Sequence, residues 1–347
     1  MGKSVPRRRQ TVGLRAIADE VGVSVSLVSK VLSGRLGTSG VNESKIRAIR
    51  EKARELNYRK NQLAEALRTG RQNVFAVMIR RHGAPGSTII DDMVGGIAEE
   101  AARHEQRLLI HYYETKDEFR EFLPLIHQNS VDGVIVTGMS DYETVEDLSA
   151  MHDRGVSVVT IQDEELDPRF PNVGMKQVEV SRLATLHLID RGCKRIAHLR
   201  VRDLGFRLPE DRYAGYLEAL KERGLERGKK LVVSVNAFTY ETGKPAIQTL
   251  IESGAVFDGL VCQSDQHAMA ALNYLAGTKK RVPADVRIIG VDNAPFCQFA
   301  IVPLSSVSQQ FRERGREAVK MLVRKLERQS VKSVQIEPVV WARDSSA

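Results

Sequence analysis

The sequence predicts a small all-α head followed by an α/β core of two doubly wound parallel sheets. Three observations carry this. Charge is uneven: residues 1–72 hold 16 Lys and Arg against 6 Asp and Glu, while the other 275 hold 36 against 38. Apolar residues recur at helical spacing before residue 59. From Val74 onward short β-rich runs alternate with helical stretches, the mark of parallel sheets with crossover helices. At 347 residues and 42% hydrophobic content, the chain has room for two or three domains of roughly 100–200 residues each. It is too apolar for bulk disorder.

In the head, Leu14, Ile17, Ala18 and Val21 form one stripe of a short helix. Gly22 supplies the backbone freedom of a tight turn, and Ser24 is a cap for a second helix. Leu27, Val28, Val31 and Leu32 face inward on that helix, leaving Val25, Ser26, Ser29 and Lys30 outside, and Gly34 closes it. Two short helices joined by a Gly turn make a helix-turn-helix, whose second helix fits a major groove. A third helix, capped by Asn42, repeats Ile46, Ile49, Ala53 and Leu56 and carries Lys45, Arg47, Arg50, Lys52 and Arg54. A positive module ahead of a nearly neutral body is the footprint of polyanion binding. The plainer reading of these residues is a three-helix bundle with a solvated charged face.

The runs Ile17-Ala18-Asp19-Glu20-Val21-Gly22-Val23-Ser24 and Val28-Ser29-Lys30-Val31-Leu32-Ser33-Gly34, then Leu56-Asn57-Tyr58, Asn61, Ala64 and Leu67-Arg68-Thr69-Gly70, resemble the LacI/GalR family of bacterial transcriptional repressors. The resemblance extends over nearly the whole chain. It implies that Val25, Ser26 and Lys30 read base edges and that Ser24 and Ser29 contact or support phosphate positions. Lys30 suits guanine O6/N7, and Val25 a thymine methyl. It further implies that Arg15 touches the DNA backbone and that Tyr58 and Asn61 belong to the same DNA-binding set. Residues 61–69 match a hinge helix, with Leu67 as a minor-groove wedge flanked by Ala64 and Arg68. Lys60 replaces a usual Pro, and the loop Arg35–Gly40 is about three residues longer than is typical.

For the body, expected strands are Val74–Ile79, Leu108–His111, Gly133–Thr137, Val156–Ile161, Ile196–Leu199, Leu231–Val235, Gly259–Cys262 and Arg287–Val291. Expected helices lie near Asp91–His104, Asp117–Asn129, Val180–Arg191, Arg212–Arg223, Gly243–Ser253 and His267–Ala276. The resemblance implies a core similar to a type I periplasmic binding protein. Its domains are a head over 1–59, a hinge helix and linker over 60–72, and a core over 73–347. Within the core, the N-terminal subdomain takes about 73–175 and 304–337, the C-terminal subdomain about 176–303 and 338–347. Pro303–Val307 is then the return segment to the first subdomain.

The resemblance also marks an effector site at Ile89, Thr137, Gln162, Arg212, Ser264 and Asp292. A bidentate guanidinium facing a carboxylate suits a polyhydroxylated ligand. By spacing alone, Arg212 and Asp292 read as an ordinary helix-start Arg and a strand-end turn Asp. Ile89 and Ile90 replace a common stacking aromatic, Gln162 a frequent Asp, Lys176-Gln177 the usual Asp-Asn, and Cys193 a typical His. Lys176 is either a surface residue or, beside Arg212, a cation favouring an anionic effector.

Other classes lack their signatures. The sequence holds no dinucleotide or P-loop glycine motif and no G-x-S-x-G elbow. His187, His198 and His267 are scattered without metal spacing, and adjacent Asp91 and Asp92 point apart on a helix. No run of about 18 apolar residues is present, and no apolar segment follows the basic Met1–Gln10. The odd, separated Cys193, Cys262 and Cys297 disfavour disulfides and zinc and fit a reducing cytoplasm. The expectation is a non-enzymatic, cofactor-free, homodimeric regulator. It would act on a palindromic operator in double-stranded DNA at the bacterial nucleoid, under control of a small-molecule effector such as a sugar or sugar derivative. The alternative is a ligand-binding protein without specific DNA recognition.

Overall fold

The computed structural model describes residues 13–32, 42–58, 70–81, 88–127, 131–138, 143–202 and 207–347. The chain divides after Gln72 into two compact units. The expected hinge residues Asn61, Ala64, Leu67 and Arg68, together with Lys60, Gly34 and the 35–40 loop, lie outside the described residues.

In the first unit, α1 (Leu14–Val21), α2 (Val25–Leu32) and α3 (Glu43–Glu55) enclose Ile17, Ala18, Val28, Val31, Ile49 and Ala53. Gly22 ends α1 in the left-handed region, at φ 68°, and Val23 N–H returns to the Ala18 carbonyl at 3.0 Å. Ser24 Oγ then accepts from Leu27 N–H and starts α2. Asn42 caps α3 by accepting from Ser44 N–H, and Lys52 ties α3 to Glu20 of α1 at 3.7 Å.

The second unit is built on two sheets. The first has the order β2-β1-β3-β4, all parallel, from β1 (Val74–Arg80), β2 (Arg107–Tyr113), β3 (Gly133–Thr137) and β4 (Ser157–Ile161). Alternation along β1 serves both faces. Phe75, Val77 and Ile79 pack under α4 (Ile89–Arg103) and α12 (Phe311–Leu326), while Ala76 and Met78 pack over α5 (Lys116–Glu121) and α6 (Leu123–His127). The second sheet places β6 (Ile196–Val201), β7 (Val232–Val235), β8 (Gly259–Cys262), β9 (Arg287–Val291), β10 (Ser305–Ser308) and β12 (Val339–Trp341) in the order β12-β10-β9-β8-β6-β7, with β12 antiparallel. Helices α8 (Gln177–Asp190) and α9 (Leu208–Glu222) cover one face; α10 (Tyr240–Glu252) and α11 (Asp265–Ala276) cover the other. The short β5 (Val173–Gly174) and β11 (Val334–Gln335) pair where the chain passes between sheets.

Several expectations need correction. Residues 303–307 do not mark the return to the first sheet. Ser305–Ser308 is a strand hydrogen-bonded to β9 in the second sheet, and the crossover falls after Ser308. The single helix expected over Asp117–Asn129 is two short ones, α5 and α6. Helices α7 (Glu143–Asp153) and α12, and strand β10, form where the sequence pattern predicts no element.

Helix crossings are set by glycines whose missing side chain lets backbones meet. A Cβ on Gly215 of α9 would lie 2.0 Å from the Val178 carbonyl of α8, and one on Gly96 of α4 would lie 1.9 Å from the Arg312 carbonyl of α12. Gly215→Ala is expected to lower stability by about 1–3 kcal/mol through overpacking. Gly277→Ala, where the nearest atom is 3.5 Å away and φ is −85°, is expected to be neutral or to stabilise by up to about 1 kcal/mol. Urea unfolding of the two variants measures the contrast, and equal losses would disprove the crossing argument.

Candidate effector site and DNA-reading surface

In the second unit, the site lies at the carboxyl ends of parallel strands, where doubly wound sheets bind ligands. Thr137 ends β3, Gln162 follows β4, Ser264 follows β8 and Asp292 follows β9. Arg212 sits in the first turns of α9 and is 3% exposed. Its Nε donates to Gln177 Oε1 at 2.9 Å, its Nη1 donates to the Gln263 carbonyl, and its Nη2 stands 4.0 Å from Asp292 Oδ1. The Phe238 ring centroid is 5.5 Å from the guanidinium carbon. Asp292 has a left-handed φ of 112° and accepts from Gln309 Nε2 at 2.6 Å.

On the first sheet's side, the Gln162 carbonyl accepts from Arg314 Nη2 at 3.0 Å, and Arg314 Nη2 is 3.8 Å from Asp163. Gln162 Nε2 and Arg314 Nε are buried without a hydrogen-bond partner. Gln177 Nε2 reaches both Asp163 Oδ1 and Gln309 Oε1, at 2.9 and 2.8 Å. One polar network therefore joins Arg212, Asp292 and the Gln162 backbone. Ile89, half-buried at the start of α4, and Thr137, whose carbonyl accepts from Tyr113, lie outside that network. Ser264 has a structural role as the cap of α11. Its Oγ accepts from His267 N–H and donates to the Phe238 carbonyl. Lys176 is exposed, so its surface reading holds; its neighbour Gln177 is the residue that meets Arg212.

Residues not singled out from sequence complete the site: Asp163, Phe238, Gln263, Asp265, Gln309 and Arg314, with Gln177, which the sequence marks only as a departure from the family's usual Asn. Long-range pairing assembles them, and no motif spacing announces it. Asp265, 2% exposed, accepts from Ser306 Oγ and Ala294 N–H at 2.6 and 2.7 Å. Burial, followed by the charge of Asp292, pushes its carboxyl up to about 7. Burial pushes Asp292 up to about 6 against the pull of Arg212. Burial likewise lowers Arg212 and Arg314, opposed first by Asp292 and by Asp163 respectively.

The histidines are packing groups. His198 is fully buried against Tyr216 and pushed down to about 3 by burial. His267 Nε2 meets the Ala237 carbonyl, and His187 Nε2 meets Ser346 Oγ. All three cysteines are free and buried. Among the described residues no group of three His, Cys, Asp or Glu is placed to hold a metal, and no helix is long and apolar enough to cross a membrane.

In the first unit, Arg15, Ser24, Val25, Ser26 and Lys30 are exposed and Ser29 is half-buried. Ser26 and Lys30 share one face of α2 by their four-residue spacing. Tyr58, half-buried, packs against the helical core, and its N–H returns to the Ala53 carbonyl.

A helix-turn-helix unit joined in sequence to a two-sheet binding core defines a ligand-responsive transcription regulator. Residues 185–346 match the periplasmic binding protein-like domain family. The HTH-type transcriptional regulator RegA of Clostridium saccharobutylicum is 26% identical over 319 residues, 92% of this chain and 93% of that protein. The ribose operon repressor of Halalkalibacterium halodurans is 26% identical over 326 residues, 93% of each. The lac repressor dimer bound to operator and the anti-inducer ONPF matches in fold with a TM-score of 0.76 at 20% identity, covering 97% of this chain and 99% of that one. The CelR–cellobiose complex matches with a TM-score of 0.66 at 24% identity, covering 96% and 99%. Over nearly its whole length the chain is similar to HTH-type transcriptional regulators and repressors, and it shares the fold of the lac repressor.

The raised carboxyls make stability depend on pH. A folded-state value above the unfolded one means that the folded protein keeps a proton the unfolded chain releases, so stability falls as pH rises from about 4 to about 7 and levels off above. Asp265→Asn is expected to flatten that slope in urea midpoints taken between about pH 5 and about pH 8. An unchanged slope would mean that Asp265 is not the titrating group.

Proposed function

We propose that the protein is a cytoplasmic repressor acting as a homodimer, with paired heads on an imperfect palindrome in double-stranded DNA. A small hydroxylated metabolite, a carbohydrate or a relative of one, binds at Arg212 and Asp292 and sets the operator affinity. The observation that carries this reading is the buried guanidinium of Arg212, 4.0 Å from the Asp292 carboxylate at the strand ends. Such a pair offers fixed donors and acceptors to vicinal hydroxyls and holds no group poised for bond breaking. The ribose operon repressor and the CelR–cellobiose complex, by their names, place sugars with related chains. Exposed Leu109, Ile110 and Tyr112 on edge strand β2, with Phe299 and Ile301, supply apolar surface for a second copy. Two coupled sites require reciprocity: an effector that weakens DNA binding is itself bound more weakly by the DNA complex.

A thermal-shift panel of ribose, cellobiose, sugar acids, sugar phosphates, cytidine and purine bases tests the ligand class. A compound at about 100 times its dissociation constant adds about 2.7 kcal/mol. Asp292→Ala is expected to abolish that shift; a full shift in the variant would place the pocket elsewhere. Binding-site selection on random duplexes tests the head. Lys30→Ala is expected to cost about 1–3 kcal/mol and to relax preference at one base position per half-site. A flat profile for the wild type would favour a ligand-binding protein without specific DNA recognition.

A further inference from the structure

The chain crosses between the two sheets just before α8 and again between β10 and α12, and each crossing carries a buried glutamine. Gln177 is 3% exposed and Gln309 is 2% exposed. They form one relay: Gln309 Nε2 donates to Asp292, Gln309 Oε1 accepts from Gln177 Nε2, and Gln177 Oε1 accepts from Arg212 Nε. The second hydrogen of Gln177 Nε2 goes to Asp163. Polarity is imposed at both ends, because a guanidinium only donates and an ionised carboxylate only accepts. The Arg212 end fixes the Gln177 carbonyl, and the Asp292 end fixes the Gln309 amino group. The middle bond then runs from Gln177 to Gln309 and no other way. Flipping either amide would set like groups against each other, a buried loss that nothing nearby offsets.

The relay continues into the first sheet's elements. Asp163 lies 3.8 Å from Arg314 of α12, and Arg314 Nη2 donates to the carbonyls of Gln162 and Val173. Helix α12 is in turn seated on α4 at Gly96 and Gly315, where a Cβ would meet backbone at 1.9 and 2.4 Å, so the two helices cannot slide independently.

We infer that Gln177 and Gln309 are positioning residues forming a polarised clamp, which anchors the two crossovers to Arg212 and Asp292 of the second sheet, and through Asp163 to the first, and so fixes the relation of the two subdomains. Resting on the effector site proposed above, the clamp occupies the atoms a ligand addresses. A hydroxyl that donates to Asp292 displaces the Gln309 amino group and frees the crossover into α12. A ligand must therefore donate to Asp292 and accept from Arg212 at once, as a diol or hydroxy acid does.

The test uses the full chain without ligand and reads inter-subdomain distance by electron–electron double resonance. The native cysteines are buried, so spin labels go to cysteines introduced at exposed Glu146 of α7 and Lys221 of α9. Gln309→Glu sets two carboxylates face to face at about pH 8.5, whereas at about pH 6 a shared proton lets one donate to the other. The expected result is a shift of more than about 2 Å in Gln309→Glu at the higher pH, reversed at the lower. Gln309→Leu should be displaced at both. Distances unchanged from wild type in both variants would overturn the clamp, even where the ligand panel has given a hit. So would a pH-independent displacement in Gln309→Glu, which would reduce Gln309 to space filling. Should Gln309→Leu fail to fold, the pH reversal in Gln309→Glu still decides, and a panel without hits bears only on the effector reading.

Discussion

The buried charge of Arg212 is the constraint around which the core is arranged. A guanidinium removed from water needs its hydrogens taken up and its charge answered, or its burial is strongly unfavourable. Here its Nε is taken by an amide from one crossover, its Nη1 by the Gln263 carbonyl at the end of β8, and its charge is faced by Asp292 at the end of β9. The groups that satisfy it are thus the ends of the parallel strands and the segments running between the sheets. Arg314 repeats part of the solution on the first sheet, answering Asp163 and the carbonyls of Gln162 and Val173 while its Nε stays buried without a partner. The polar groups at the strand ends and the segments running between the sheets are joined in one set of hydrogen bonds.

The carboxylates show what this arrangement does to chemistry. Burial holds Asp265 and Asp292 above the usual carboxylate range, and the charge of Asp292 adds to the rise at Asp265. Asp265 uses its oxygens on Ser306 and Ala294, bracing the turn in which Asp292 adopts its left-handed backbone. Asp292 is left to face Arg212 and Gln309. One acid is structural and the other is presented, a division that follows from their partners and not from their residue type.

The head obeys a simpler logic. Among the described residues six buried apolar side chains make a small core, and backbone signals carry much of its definition. Gly22 ends one helix, Ser24 begins the next, and Asn42 begins the third. Because α2 spends its apolar side chains on Ile17, Ala18 and Ile49, it is left with short polar residues and Lys30 outside, a surface suited to approach a groove closely.

By itself the sequence determined the head and the alternation that makes two parallel sheets. Local chemistry suffices for these: a stripe at 3.6-residue spacing, a Gly turn, a Ser cap and apolar runs of strand length are read within a few residues. Arg212 and Asp292 were legible because they sit in motifs that resemble the family. Only the tertiary structure decided their company. Gln177 and Gln309 are 132 positions apart and nothing local announces their pairing, since an amide becomes specific only when two crossovers bring it against another. The same cause moved Ser264 from presented group to helix cap and put Ser305–Ser308 into the second sheet. A hydroxyl's partner and a strand's neighbour are set by three-dimensional packing, and residue type alone leaves both open.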